Sequence, residues 1–129
     1  MIIKCLKDSS ELELSKPEGL QQPDGSEYYR VTIRGPGLSA SSQVYAFEPR
    51  GYGLVEFFED LAAIWRGWKG KKDWTSLEGE LSLVCTSDRL GHVAIEVTLC
   101  NIWSVRKVFD VEAGQLEQLA SEIKKFFAA

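Results

Sequence analysis

A chain of 129 residues, 44% hydrophobic and 26% charged, has the make-up of one folded domain that can bury a core without a disulfide or metal staple. Its formal net charge of −4 argues against nucleic acid and anionic membrane as partners, because both are held by a basic face. Cys5, Cys85 and Cys100 lie far apart with no C-x-x-C pair, and there is neither a signal-like leader nor a run of about 18 apolar residues, so the expected home is a reducing cytoplasm.

Along the chain, Ile2 to Leu6 and Glu11 to Leu14 read as short strands around the turn triplet Asp8-Ser9-Ser10. Lys16 to Ser26 holds Pro17, Gly19, Pro23, Asp24 and Gly25, a density that marks a loop. Tyr28 to Arg34 alternates, with Tyr29, Val31 and Ile33 on one face, as a half-buried antiparallel strand does. Gly35-Pro36-Gly37 turns the chain, and Leu38 to Phe47 returns. Beyond Pro49 and Gly51 the period changes to 3.6: Leu54, Phe57, Phe58, Leu61, Ile64 and Trp65 form one helical stripe, with Arg66 at its end and Gly67 past it.

Trp68 to Asp73 is expected to be a basic loop, after which a strand starts at Trp74. Thr75, Leu77, Gly79, Leu81, Leu83 and Cys85 share one face of it, Trp74 takes the other, and Gly79 suggests a bulge. Gly91 to Cys100 and Trp103 to Val111 follow as strands, then a helix over about Ala113 to Phe127 with stripe Leu116, Leu119, Ile123, Phe126 and Phe127. The expected fold is α+β, order ββββ-α-βββ-α: an antiparallel sheet of about seven strands with two amphipathic helices packed on one face, one domain over 1–129. One sheet or two both fit the pattern.

One hairpin can be set in register. Leu81, Leu83 and Cys85 must share a face with Val93, Ile95 and Val97, since a slip of one residue would turn an apolar set outward. That parity needs an odd loop, and Arg89-Leu90-Gly91 supplies one with glycine at its left-handed position. Cys85 then faces Ile95, Leu83 faces Val97 and Leu81 faces Leu99. Asp88 meets His92 on the opposite, wet side.

His92 is the one histidine, so any base or metal proposal must use it. Asp88 beside it would orient the ring and favour its charged form. No nucleophile accompanies the pair: Cys100 lies about 26 Å along the strand, and Ser87 points to the other face. The plain reading is a solvated cross-strand ion pair. No catalytic residue, metal set or cofactor is assigned, because one histidine and three scattered cysteines make no tetrahedral site and no phosphate-cradling glycine loop is present. The richest binding candidate is the stretch from Trp65 to Trp74, three tryptophans among four cations, residue types that dominate interfaces. The alternative is that those rings pack inward and the lysines form a solvated loop.

The run Phe57-Phe58-Glu59-Asp60-Leu61-Ala62, then Trp65-Arg66-Gly67-Trp68-x-Gly70, Trp74-x-Ser76-Leu77-Glu78-Gly79-x-Leu81, Asp88-x-x-Gly91-His92-Val93 and Gln115-Leu116-x-x-Leu119-Ala120, resembles a bacterial family of small proteins of unknown function. The resemblance implies a bacterial origin and carries no reaction. In size, acidity and α+β make-up the chain is also similar to immunity proteins that neutralise bacterial toxins. The expectation is a non-enzymatic module binding a protein partner, possible as a homodimer too, through Arg66, Trp68, Lys71, Lys72, Trp74, Asp88 and His92. The alternative is a small-ligand binder or enzyme using Asp88 and His92.

Overall fold

The computed structural model describes residues 1–16, 28–46 and 50–128. Of the loop expected over Lys16 to Ser26, residues 17–26 lie outside the described residues, as do Phe47 and Pro49. Eight strands and two helices follow in the order β1 (Ile2–Lys4), β2 (Glu11–Ser15), β3 (Tyr28–Gly35), β4 (Leu38–Tyr45), α1 (Leu54–Ala63), β5 (Lys72–Thr75), β6 (Leu81–Ser87), β7 (His92–Cys100), β8 (Ser104–Glu112) and α2 (Leu116–Ala128). The class is the expected one, α+β and antiparallel. The strands make two four-stranded meanders, β1-β2-β3-β4 and β5-β6-β7-β8.

Alternation sets the inner faces. Leu12 pairs with Ile3 on one side and Ile33 on the other, and Leu14 pairs with Val31. In the second sheet Cys85 faces Ile95, Leu83 faces Val97 and Leu81 faces Leu99, the register parity requires. Gly91 holds φ +83, the left-handed conformation that closes the loop. These rows and the apolar stripes of both helices share one cluster in which Val31, Ile33, Ile95, Val97 and Leu116 are fully buried. Edge-to-face contacts of Tyr29 with Phe127 (5.2 Å) and Phe126 (6.2 Å) tie α2 to the first sheet. Before α2, a single 3₁₀ turn (Ala113–Gln115) is held by a reciprocal capping box between Glu112 and Gln115.

The sheets are joined at both ends. Leu6 donates its N–H to the Asp110 carbonyl (2.9 Å) and the Cys5 sulfur accepts from the Asp110 N–H (3.4 Å), so the β1–β2 turn lies along the β8 edge. Lys107 pairs with Asp8 at 2.9 Å, and that hydrogen bond, with those from Ser10, holds the Asp8 carboxyl far below the usual range. At the other end the Glu80 carboxylate accepts from the Tyr45 N–H (2.8 Å) and the buried Ser76 hydroxyl (2.7 Å).

Three expectations need correction. The described residues form eight strands, because Lys72–Thr75 is a strand of its own and not the end of a basic loop. Nor is the chain extended from Trp74 to Cys85. It reverses through Leu77 to Glu80, where the Ser76 N–H bonds the Leu81 carbonyl (2.9 Å), and Gly79 at φ +80 belongs to that turn instead of a bulge. A four-residue connection also flips the parity of the upstream part. Trp74 therefore pairs with Leu83 and faces inward, while Leu77 is exposed. Finally, α1 stops at Ala63. Ile64 and Trp65 donate to carbonyls three residues back (3.2 and 3.3 Å), and this tighter winding carries Trp65 off the stripe into solvent.

Candidate functional site

The seven residues singled out from the sequence fall into two places. Around the β5 corner, Trp68 and Trp74 use their rings structurally. Trp68 is half-buried, donating its indole N–H to the Cys85 carbonyl (3.3 Å) and its backbone N–H to the Ser87 hydroxyl (3.3 Å). Trp74 donates its indole N–H to the Tyr52 carbonyl (2.9 Å), fastening β5 to the turn before α1. Arg66, Lys71 and Lys72 are exposed, and the Arg66 guanidinium lies 5.4 Å from the exposed Trp65 ring.

Asp88 and His92 meet where the hairpin register puts them, on the outer face of the second sheet. Their side chains are about half exposed, with His92 Nδ1 at 3.1 Å from Asp88 Oδ2. The other carboxylate oxygen of Asp88 accepts the N–H groups of Leu90 (2.8 Å) and His92 (2.9 Å), so the residue organises the loop as well as the ring. The sequence reading missed Glu112, which β8 places opposite His92 with Oε1 at 4.0 Å from Nε2. Extending the parity argument across the β7–β8 hairpin would have found it. The imidazole is thus held between two carboxylates. That arrangement supplies no nucleophile.

The same face carries a cross-strand row, Asp73, Val84, Glu96 and Val108, one residue from each of its four strands. Ala94 lies beside it, half-buried, and Val108 is 38% exposed. Arg106 stands 3.8 Å from Glu96, and Lys7 stands 3.6 Å from Asp110. Between the β1–β2 turn and this face runs a groove of about 560 Å³, lined among others by Lys7, Thr86, His92 and Glu112.

Hydrogen bonds, that of the His92 N–H foremost and then those of the Leu90 N–H and the His92 ring, hold the Asp88 carboxyl below its ordinary value. The sign follows. A depressed folded value stabilises the fold above the carboxylate range of the unfolded chain, and that contribution is lost as pH falls through the lowered value. Asp88→Asn keeps an acceptor for both amides. Lacking the charge, it is expected to be slightly less stable than the parent near pH 7 and to lose less stability on acidification, measured by thermal melts at stepped pH. A steeper acid loss in Asp88→Asn would contradict this.

Among the described residues no group of three or more His, Cys, Asp or Glu side chains is arranged to hold a metal, and no helix is long and apolar enough to cross a membrane. The cysteines are unlinked, and burial pushes the Cys85 thiol up to about 12, which marks it as packing rather than a nucleophile. No curated protein matches the chain. A family model described as a family of unknown function (DUF6228) matches residues 4–129, so the chain belongs to that family.

Proposed function

We propose that the chain is a non-enzymatic interaction module of the bacterial cytoplasm that binds a protein partner through the open face of its second sheet. Toxin neutralisation of the immunity type is its concrete form, suggested by size, acidity and α+β make-up. The observation that carries the reading is the Val84–Val108 row. Interfaces combine an apolar centre with a charged rim, and this face sets Val84, Ala94 and Val108 among Asp73, Glu96, Arg106 and the Asp88–His92–Glu112 trio. The histidine is then a polar rim contact between two acids.

Val84→Lys with Val108→Lys removes the apolar centre while placing each lysine opposite an acid, Asp73 or Glu96, so the sheet keeps favourable pairs. The double variant is expected to melt like the parent. It should lose a co-purified native partner by about tenfold or more in affinity, the scale of a central hot spot. Retention of the partner at parental affinity would overturn the reading.

The groove beside His92 favours one other reading, a binder of small cationic molecules or an enzyme acting on them, since Asp88, Asp110 and Glu112 all line it. That reading expects no protein partner, and a thermal shift by a small metabolite that disappears in His92→Ala.

A further inference from the structure

The open face of the second sheet is lopsided in charge. Its outward positions carry Asp73, Asp88, Glu96, Asp110 and Glu112, and among the described strand residues Arg106 is the one guanidinium or ammonium set against them. Parity makes the difference, because the strand lysines Lys72 and Lys107 pair with Cys85 and Val97 and so fall in inner-face register. Acids thus flank Val84, Ala94 and Val108 from β5 on one side to β8 on the other. Lys7 and the exposed Arg89 stand at the rim without cancelling the excess.

The pairs already on the face are loose. Arg106 reaches Glu96 at 3.8 Å and Lys7 reaches Asp110 at 3.6 Å, with the two cations' side chains 70% and 77% exposed. Solvated pairs of this kind contribute little and leave the carboxylates open to a better donor. Asp73 makes no ion pair among the described residues. Charge therefore selects the occupant. A second copy meeting this face about a two-fold axis would set a surplus of acids against a surplus of acids, and an acidic or neutral partner would cover the carboxylates without supplying donors. We propose that the partner meets this face with a basic surface, arginines and lysines ringing an apolar centre that seats on Val84, Ala94 and Val108. This rests on the interaction reading and names the chemistry of the surface bound.

The test titrates the isotope-labelled protein with a capped hexapeptide of two central leucines between arginine pairs, and with its glutamate analogue, following amide signals. The arginine peptide is expected to give saturable shifts at Val84, Glu96 and Val108 that weaken as salt is raised. Binding should be about tenfold weaker for the glutamate analogue and for the arginine peptide on Asp73→Asn/Glu96→Gln. Equal binding of both peptides, no saturable shift on this face, or parental binding by the neutralised variant overturns the proposal. Shifts at these amides that grow with protein concentration alone would give the face to a second copy and overturn it too. A native partner lost in Val84→Lys/Val108→Lys but held at parental affinity by Asp73→Asn/Glu96→Gln at every salt concentration would sink the basic-partner proposal and leave the interaction reading standing. A partner untouched by Val84→Lys/Val108→Lys would overturn both.

Discussion

Gly51→Ala is expected to lower stability by about 2–5 kcal/mol in denaturant melts, the sum of a left-handed backbone penalty and an overpacked core. Gly51 is buried at φ +69, and an added Cβ would lie 2.6, 2.8 and 3.0 Å from three ring atoms of Phe127. That ring has little room to retreat. It is 5% exposed and held edge-to-face by Tyr29 and Phe126. Gly37 separates the two terms, since it has φ +71 and nothing within 4 Å of a Cβ. Gly37→Ala should therefore cost only the backbone part, about 1–2 kcal/mol. Equal costs at the two sites would mean that the α2 terminus yields freely and that Phe127 is no fixed part of the core.

Ile95→Ala carries the second large effect, about 2–5 kcal/mol, because a fully buried branched side chain leaves a cavity that its neighbours cannot fill. Ile95 sits between Cys85 and Phe109 on the inner face, both of them fully buried. Its control is Ile102 in the β7–β8 turn, 97% exposed, where alanine should change stability by no more than about 0.5 kcal/mol. Chemical denaturation of both variants measures the difference. Similar values would mean that the inner and outer faces of the hairpin are wrongly assigned.

Legibility followed parity. The β6–β7 register could be read because two apolar sets demanded one face and Gly91 marked an odd loop consistent with them. The same rule misled upstream. A reversal through Leu77 to Glu80 looks like continued alternation, since the turn holds one glycine and no proline and the side-chain bonds that close it, from the Ser76 hydroxyl to Glu80 and from the Leu81 N–H to that hydroxyl, come from residue types common on strands. Alternation alone accordingly puts Trp74 on the outer face, whereas it pairs with Leu83 on the inner one. Trp65 fits a helical stripe by spacing alone, and only the tight winding after Ala63 turns it out. At the candidate site, the Asp88–His92 contact is local and was visible. Glu112 and the Val84–Val108 row depend on three or four strands in register, information that lies in tertiary pairing more than in any short stretch of chain.

The tryptophans show how composition and placement diverge. A stretch rich in indole and cations reads as an interface, yet Trp68 and Trp74 spend their N–H groups on backbone carbonyls of Cys85 and Tyr52. What they leave at the surface is charge: Arg66, Lys71 and Lys72 beside an open strand edge. The apolar surface with strand-to-strand continuity is on the sheet face instead.

Photo-crosslinking in the native host addresses that face most directly, with a benzophenone amino acid placed in turn at Val84, at Val108 and at Ser39, an exposed position on the first sheet. The account predicts one protein adduct of the same mass from positions 84 and 108, and none from 39. An adduct from 39 with none from 84 or 108 would place the partner elsewhere and contradict it.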